Sequence, residues 1–449
     1  MQHDLSVLKS ELEMNRLVRP VGRVVGVSSG VIQVSGLADT VRIGDQVTLR
    51  RYPGNPLQGE ILQVIKGVVN MLPDTAPDGV AIGDPVILHG TPKFAPCDSW
   101  IGRVIDPYGA PLDGRPLARG GPSHDLMSSP PPAAERRALG ARVTTGLALL
   151  NTILPIAEGQ RIGLFAGSGV GKSRLLAQLA MHMQAEVVVV GLIGERGREV
   201  NEFVTRVLGP EGMKRAIVIA ATSDQSALTR RRCAWAAMSV AEHFRDQGKK
   251  VLFLADSVTR FAEAHREIAV AAGESPALRG FPPSVTPMIT ALCERAGPGA
   301  RDQGNITAIF SVLVAGSDMD EPIADILRGV LDGHIVLSRD IAERGRFPAI
   351  DVGRSVSRCL PDAANDVENA MIGETRKFLG AYEQSEVMIK AGLYVEGSDL
   401  VLDQAVRIWP ELDKFFARDE TDGIRGSFDR LGLILRRANI PGTEGQRQG

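Results

Sequence analysis

The run Ala166-Gly-Ser-Gly-Val-Gly-Lys-Ser173 constrains this chain more than any other feature of its sequence. It follows the apolar stretch Ile162-Gly-Leu-Phe and precedes Leu175, Leu176, Leu179 and Met183 at helical spacing. A strand, a glycine-rich loop and a helix in that order make a phosphate cradle. Gly167, Gly169 and Gly171 let the backbone aim its N–H groups at an anion, where side chains would block approach. The helix that starts after the loop adds its positive dipole end. The expected nucleotide-contacting stretch is Gly167, Ser168, Gly169, Val170, Gly171, Lys172, Ser173 and Arg174. Lys172 supplies a point charge for the β- and γ-phosphates, and Ser173 a hydroxyl for Mg²⁺. The strict pattern has Gly at the first position. Ala166 is small enough to end the strand instead.

Two further apolar runs end in acids. Val251-Leu-Phe-Leu-Ala-Asp256 reads as a buried strand, expected beside the loop strand, with Asp256 holding Mg²⁺ mainly through its water shell. A helix cap is the other role open to Asp256, as it is to Ser257. Gly194-Glu-Arg-Gly-Arg-Glu199 follows the apolar residues 187–193. Hydrolysis needs a group that orients water near the γ-phosphate, and Glu195 is placed for it. Arg196 is expected to touch that phosphate or pair with a carboxylate. Taken alone, the segment also reads as a charged surface loop. Asp351-Val-Gly-Arg-Ser-Val-Ser-Arg358 offers Arg354 and Arg358 as an arginine finger donated across a subunit boundary. Spacing alone does not separate that from a surface salt bridge. Tyr382 and Tyr394 stand open between a contact to the base and core packing.

The 449 residues, 44% of them hydrophobic, suffice for two or three domains with sizeable cores. Residues 1–17 carry Leu5, Leu8 and Leu12 on one helical face, expected to dock a partner or fray. Residues 18–95 hold short β-rich runs broken by Gly, Pro and Asp, the cadence of a small β-barrel. A connector spans 96–134 and ends in Ser128-Ser-Pro-Pro-Pro-Ala-Ala, where the prolines favour extended chain. Residues 135–360 alternate strand and helix patterns, predicting an α/β fold with a mainly parallel sheet. Helical patterns dominate 361–440, and the tail 441–449 is polar and expected to be disordered.

The formal net charge of −2 gives no global pull toward nucleic acid or an anionic membrane. Aromatics are 4%, and residues 18–95 hold only Tyr52 and Phe94, too few for a base-stacking platform. Cys97, Cys233, Cys293 and Cys359 show no CxxC spacing and read as free thiols in a reducing compartment. The N-terminus lacks a basic segment leading into an apolar core, so no signal peptide is expected, and no apolar stretch reaches the ~20 residues of a membrane span.

Over residues 20–410 the chain resembles the type III export ATPases, relatives of the catalytic subunit of rotary F-type ATP synthases. The resemblance rests on Thr145-Gly-Leu, Gly159-Gln-Arg-Ile-Gly-Leu-Phe-Ala-Gly-Ser-Gly-Val-Gly-Lys-Ser and Gly194-Glu-Arg-Gly-Arg-Glu-Val. It extends through Ala255-Asp-Ser-Val-Thr-Arg-Phe-Ala-Glu-Ala-His-Arg, Arg279-Gly-Phe-Pro-Pro-Ser-Val, Leu331-Asp-Gly-His-Ile-Val-Leu-Ser-Arg and Pro348-Ala-Ile-Asp. It implies a RecA-like P-loop core between a small N-terminal β-barrel and a C-terminal helical domain. It also implies a homohexameric Mg-dependent ATPase in which Lys172 and Ser173 hold phosphates and Mg²⁺. Glu195 would activate water, Arg196 touch the γ-phosphate, Asp256 serve the metal and Arg358 reach the neighbouring subunit.

The implied partners are a stator-like export regulator at the N-terminal helix, export-gate membrane proteins and chaperone–substrate complexes, with no nucleic acid. The implied location is cytoplasmic, peripheral to an inner-membrane export apparatus. The runs Asp320-Glu-Pro-Ile-Ala-Asp-Ile-Leu-Arg and Ile341-Ala-Glu-Arg-Gly-Arg-Phe-Pro favour flagellar over injectisome members. A synthase subunit proper and an RNA-driven ring translocase are the remaining alternatives. Asn151 and Arg174 depart from the family, which often has Asp and Thr there.

Overall fold

The structure, a computed structural model, describes residues 18–438 apart from positions 29, 122, 315–318 and 320. The helix expected over 1–17 and the tail 441–449 lie outside the described residues.

Among the described residues six strands come first: β1 (Val21–Ser28), β2 (Val31–Ser35), β3 (Gln46–Leu49), β4 (Leu57–Ile65), β5 (Val68–Pro73) and β6 (Pro85–Gly90). They close into an antiparallel barrel in the order β1-β2-β5-β4-β3-β6. Alternating residues point inward, so Val24, Ile32, Val34, Val47, Val69 and Met71 form its core. Closure leaves no strand edge to pair with another chain. The Glu60–Arg231 ion pair at 2.5 Å, and Leu62 packed on Leu228 and Ile268, fasten the barrel to the central α/β domain.

Two short strands, β7 (Lys93–Phe94) and β9 (His124–Asp125), pair with each other. Between them β8 (Val104–Ile105) joins the main sheet, so part of the expected connector is built into the core. That sheet also contains β10 (Arg161–Ala166), β11 (Val187–Glu195), β12 (Ala216–Thr222), β13 (Lys250–Asp256), β14 (Gly297–Pro298), β15 (Asn305–Leu313), β16 (Gly333–Leu337) and β17 (Ile350–Ser357). The order is β17-β16-β10-β15-β13-β11-β12-β8, with β14 paired to the start of β15. All neighbours on this path are parallel except β17 on β16.

A parallel sheet covered on both faces needs apolar residues on both sides of each strand. In β11, Val188, Val190 and Leu192 pack toward the helix Lys172–His182, whereas Val187, Val189 and Ile193 pack toward the helix Ala227–Asp246. Burying each such Val, Leu or Ile contributes about 1.5–3 kcal/mol relative to exposure. One expectation is corrected by the strand order. The Asp256 strand β13 is not beside the loop strand β10, because β15 pairs with both and separates them.

Three long helices come last among the described residues, Asp366–Lys390, Leu400–Phe416 and Gly423–Ala438. Asn365 and Glu368 form a reciprocal capping box on the first, and Asp399 caps the second. Their apolar faces, including Phe378, Leu412, Phe415 and Leu431, join the core on the Lys172–His182 side of the sheet. Asn151 ties this helical layer to the α/β domain. Its Oδ1 accepts from the Thr145 N–H and hydroxyl, both at 2.9 Å, and its Nδ2 donates to Ser427 Oγ at 3.0 Å. The Ser427 hydroxyl gives its own proton to Gly423 O at 2.9 Å. A neutral amide that both accepts and donates satisfies this buried site.

Candidate active site

In parallel sheets the carboxyl ends of the strands carry the ligand crevice. Here β10 ends at Ala166, and the chain turns through the glycine loop into a helix beginning at Lys172. Gly171 has φ of 91°, and a Cβ there would stand 3.2 Å from the Phe347 ring. Only glycine fits both the backbone and the space. Asp256 ends β13 and Glu195 ends β11, so the three strands deliver Lys172, Asp256 and Glu195 to one place.

Lys172 Nζ donates to Asp256 Oδ1 and stands 3.7 Å from Glu195 Oε1. Asp256 is 4% exposed. Its Oδ1 also accepts from Ser311 Oγ at 2.7 Å. Burial and then the nearby Asp256 carboxylate push Glu195 up to about 7, against the opposing pull of Lys172. Glu195 can therefore hold or release a proton near neutrality. The cap role at this strand end goes to Ser257, which accepts from the Arg260 N–H at 3.3 Å.

Arg196 points away from this cluster. Its side chain is 81% exposed and pairs with Glu199 at 3.1 Å. Arg358 is elsewhere altogether. It follows the edge strand β17, at the end of the sheet opposite Ala166, because Ser357 pairs with Gly333 and Ile350 with Leu337. Its Nη1 and Nη2 donate to Leu331 O and Arg328 O at 3.1 and 3.2 Å. Arg354 lies inside β17, with its N–H on Asp351 Oδ1 at 3.0 Å.

Beside the loop is a cavity of about 320 Å³, lined by Gly171, Arg174, Gln178, Phe347, Pro348 and Asp419. The Arg174 guanidinium lies 5.7 Å from the Phe347 ring centre. Tyr382 and Tyr394 are not in it. Tyr382 stacks on Trp409 at 3.9 Å, and Tyr394 donates to Asp403 at 2.6 Å. Sequence reasoning missed Phe347 and Ser311. An aromatic residue preceding Pro348-Ala-Ile-Asp, and a hydroxyl near the carboxyl end of the apolar strand β15, were the available signals.

The four cysteines are free, with Cys233, Cys293 and Cys359 buried. No described helix is long and apolar enough to cross a membrane.

Comparison with known proteins agrees with this geometry. Residues 146–357 match the ATP synthase alpha/beta family, nucleotide-binding domain, and residues 365–425 match the T3SS EscN ATPase C-terminal domain. The flagellum-specific ATP synthase of Caulobacter vibrioides is 44% identical over 424 residues, covering 92% of this chain and 96% of that protein. The assembled ATPase EscN of the enteropathogenic E. coli type III secretion system superposes with a TM-score of 0.84 at 34% identity, covering 92% of this chain and 100% of that one. EscN in complex with its central stalk EscO gives 0.83, with the same identity and coverage. The glycine loop, the paired acids and these relationships lead to one conclusion: the chain belongs to the flagellar and type III secretion ATPases of the ATP synthase alpha/beta family, and is an ATP-binding, ATP-hydrolysing enzyme.

Proposed function

We propose that this protein hydrolyses ATP in pockets shared between adjacent copies of itself, in a ring of six that helps drive protein export through a flagellar secretion apparatus. The observation that carries the reading is the separation of the catalytic set. Lys172, Glu195 and Asp256 converge within one chain, while Arg358 sits two strands from β10 and at the opposite end of the sheet. A finger so placed cannot serve its own phosphate loop, but it can serve a neighbour's.

In this reading the triphosphate lies along the amides between Gly167 and Ser173, and Lys172 leaves Asp256 for the β- and γ-oxygens. Phe347 offers a flat face to the adenine ring, and Arg174 borders the same slot. The donor set suits Mg²⁺: hard oxygens from Ser173 and Asp256, beside the second carboxylate of Glu195. When bound, Mg²⁺ neutralises charge on the β- and γ-phosphate oxygens. Glu195 orients the attacking water and takes its proton. Arg358 of the next protomer stabilises charge building on the transferred phosphoryl group, as such fingers do by about 10³–10⁵ in rate.

The export role rests on the family. The 44% identity to a flagellum-specific relative supports the flagellar branch over the injectisome one. The assembled EscN and its complex with a central stalk support a homo-oligomer with a stalk partner here. Val387, Leu393, Val395 and Leu400, all exposed around the turn between two C-terminal helices, make an apolar tip suited to that stalk. Residues 1–17 are the segment proposed to dock a stator-like regulator. Export-gate membrane proteins and chaperone–substrate complexes complete the proposed partners, at the cytoplasmic side of the inner membrane. Specific ATPase activity should fall as the protein is diluted below ring assembly. Activity independent of concentration would remove the shared-site part of the reading.

A further inference from the structure

β15 is an apolar strand running between β10 and β13, and Ser311 interrupts its buried run Ile309, Phe310, Val312. A hydroxyl buried among such neighbours is costly unless it gives its proton to an acceptor. Ser311 Oγ gives it to Asp256 Oδ1 at 2.7 Å. The register explains the fit. Ala255 pairs with Phe310, so Asp256 and Ser311 are the next residues along two adjacent strands. Lys172 shares the same carboxylate oxygen, which therefore takes two donors from two different elements.

We infer that Ser311 is the positioning residue for Asp256, and that it holds the carboxylate in one orientation when Lys172 moves to the phosphates. The inference rests on the reading of Asp256 as the metal-side acid. As Lys172 is drawn toward the phosphates, the strand hydroxyl is the donor that keeps its place on Asp256. It sits on a strand hydrogen-bonded on both sides, to β10 and to β13. Partners of this kind, which orient a metal-binding group without touching the metal, typically set metal affinity or activity by ~10–100-fold.

The test is ADP binding by calorimetry, with and without Mg²⁺, on the full-length wild type and on Ser311→Ala, Ser311→Thr and Asp256→Asn. Ser311→Ala is expected to weaken Mg·ADP binding by roughly 10-fold or more, to leave metal-free ADP binding unchanged, and to lower kcat more than it raises KM. Ser311→Thr keeps the hydroxyl and is expected to retain Mg·ADP affinity within about 3-fold, well short of the roughly 10-fold loss expected for Ser311→Ala. If Ser311→Ala is poorly folded, Ser311→Thr alone decides. Substantial loss of Mg·ADP affinity in a folded Thr variant overturns the inference. So does wild-type Mg·ADP affinity in Ser311→Ala while Asp256→Asn is impaired. If Asp256→Asn itself binds Mg·ADP normally, the metal-side reading of Asp256 fails, and the inference falls with it.

Discussion

Lys172 Nζ stands 3.7 Å from Glu195 Oε1 while it donates to Asp256 Oδ1. One ammonium is thus set between two carboxylates that end neighbouring strands. Lys172→Ala would remove the cation and leave the acids facing each other. The variant is expected to lose measurable ATP hydrolysis and most triphosphate affinity, because the same group must meet the β- and γ-phosphates. Fluorescent-nucleotide titration beside a phosphate-release assay checks both.

Glu195 can accept a proton from water only when ionised, and its acid form persists to about 7. For the free enzyme, kcat/KM for ATP is therefore expected to rise with pH through that value and level off above it. Glu195→Gln should bind ATP with near-normal affinity, turn over at background, and lose this limb of the profile. Hydrolysis at the wild-type rate in Glu195→Gln would remove Glu195 from the mechanism.

The Thr145–Asn151–Ser427 connection predicts a stability effect away from the chemistry. All three residues are fully buried. Asn151→Ala leaves the Thr145 N–H without its acceptor, at a cost of about 1–3 kcal/mol. The thermal midpoint should drop, while the ATPase rate at low temperature stays near normal.

At Gly171 a Cβ meets both a left-handed backbone and the Phe347 ring. Gly171→Ala is expected to cost about 1–2 kcal/mol from the backbone alone and to reduce nucleotide affinity more than overall stability. Comparing the ADP dissociation constant with the unfolding midpoint separates the two effects.

The phosphate loop was legible because strand, glycines and helix are contiguous in sequence. Glu195 and Asp256 were legible as acids ending apolar runs, and the barrel as short strands between turn residues. Strand order was not. That β15 separates β10 from β13 depends on which crossovers pack together, which no local pattern encodes. Ser311 was hidden for the same reason, since its partner Asp256 is 55 residues away. Phe347 was no more visible than Tyr382 or Tyr394, because nothing in its spacing brings it to Gly171. Arg196 takes the second of its two expected roles, pairing with the Glu199 carboxylate on the surface.

The central claim is that each active site takes Glu195 from one protomer and Arg358 from the next. Mixing Arg358→Ala with Glu195→Gln, each expected to be inactive alone, tests it most directly. Interfaces that join the intact Glu195 of the first variant to the intact Arg358 of the second should regain ATPase activity as the two exchange into common rings. A mixture that forms mixed rings yet stays at the background of the separate variants would contradict the claim.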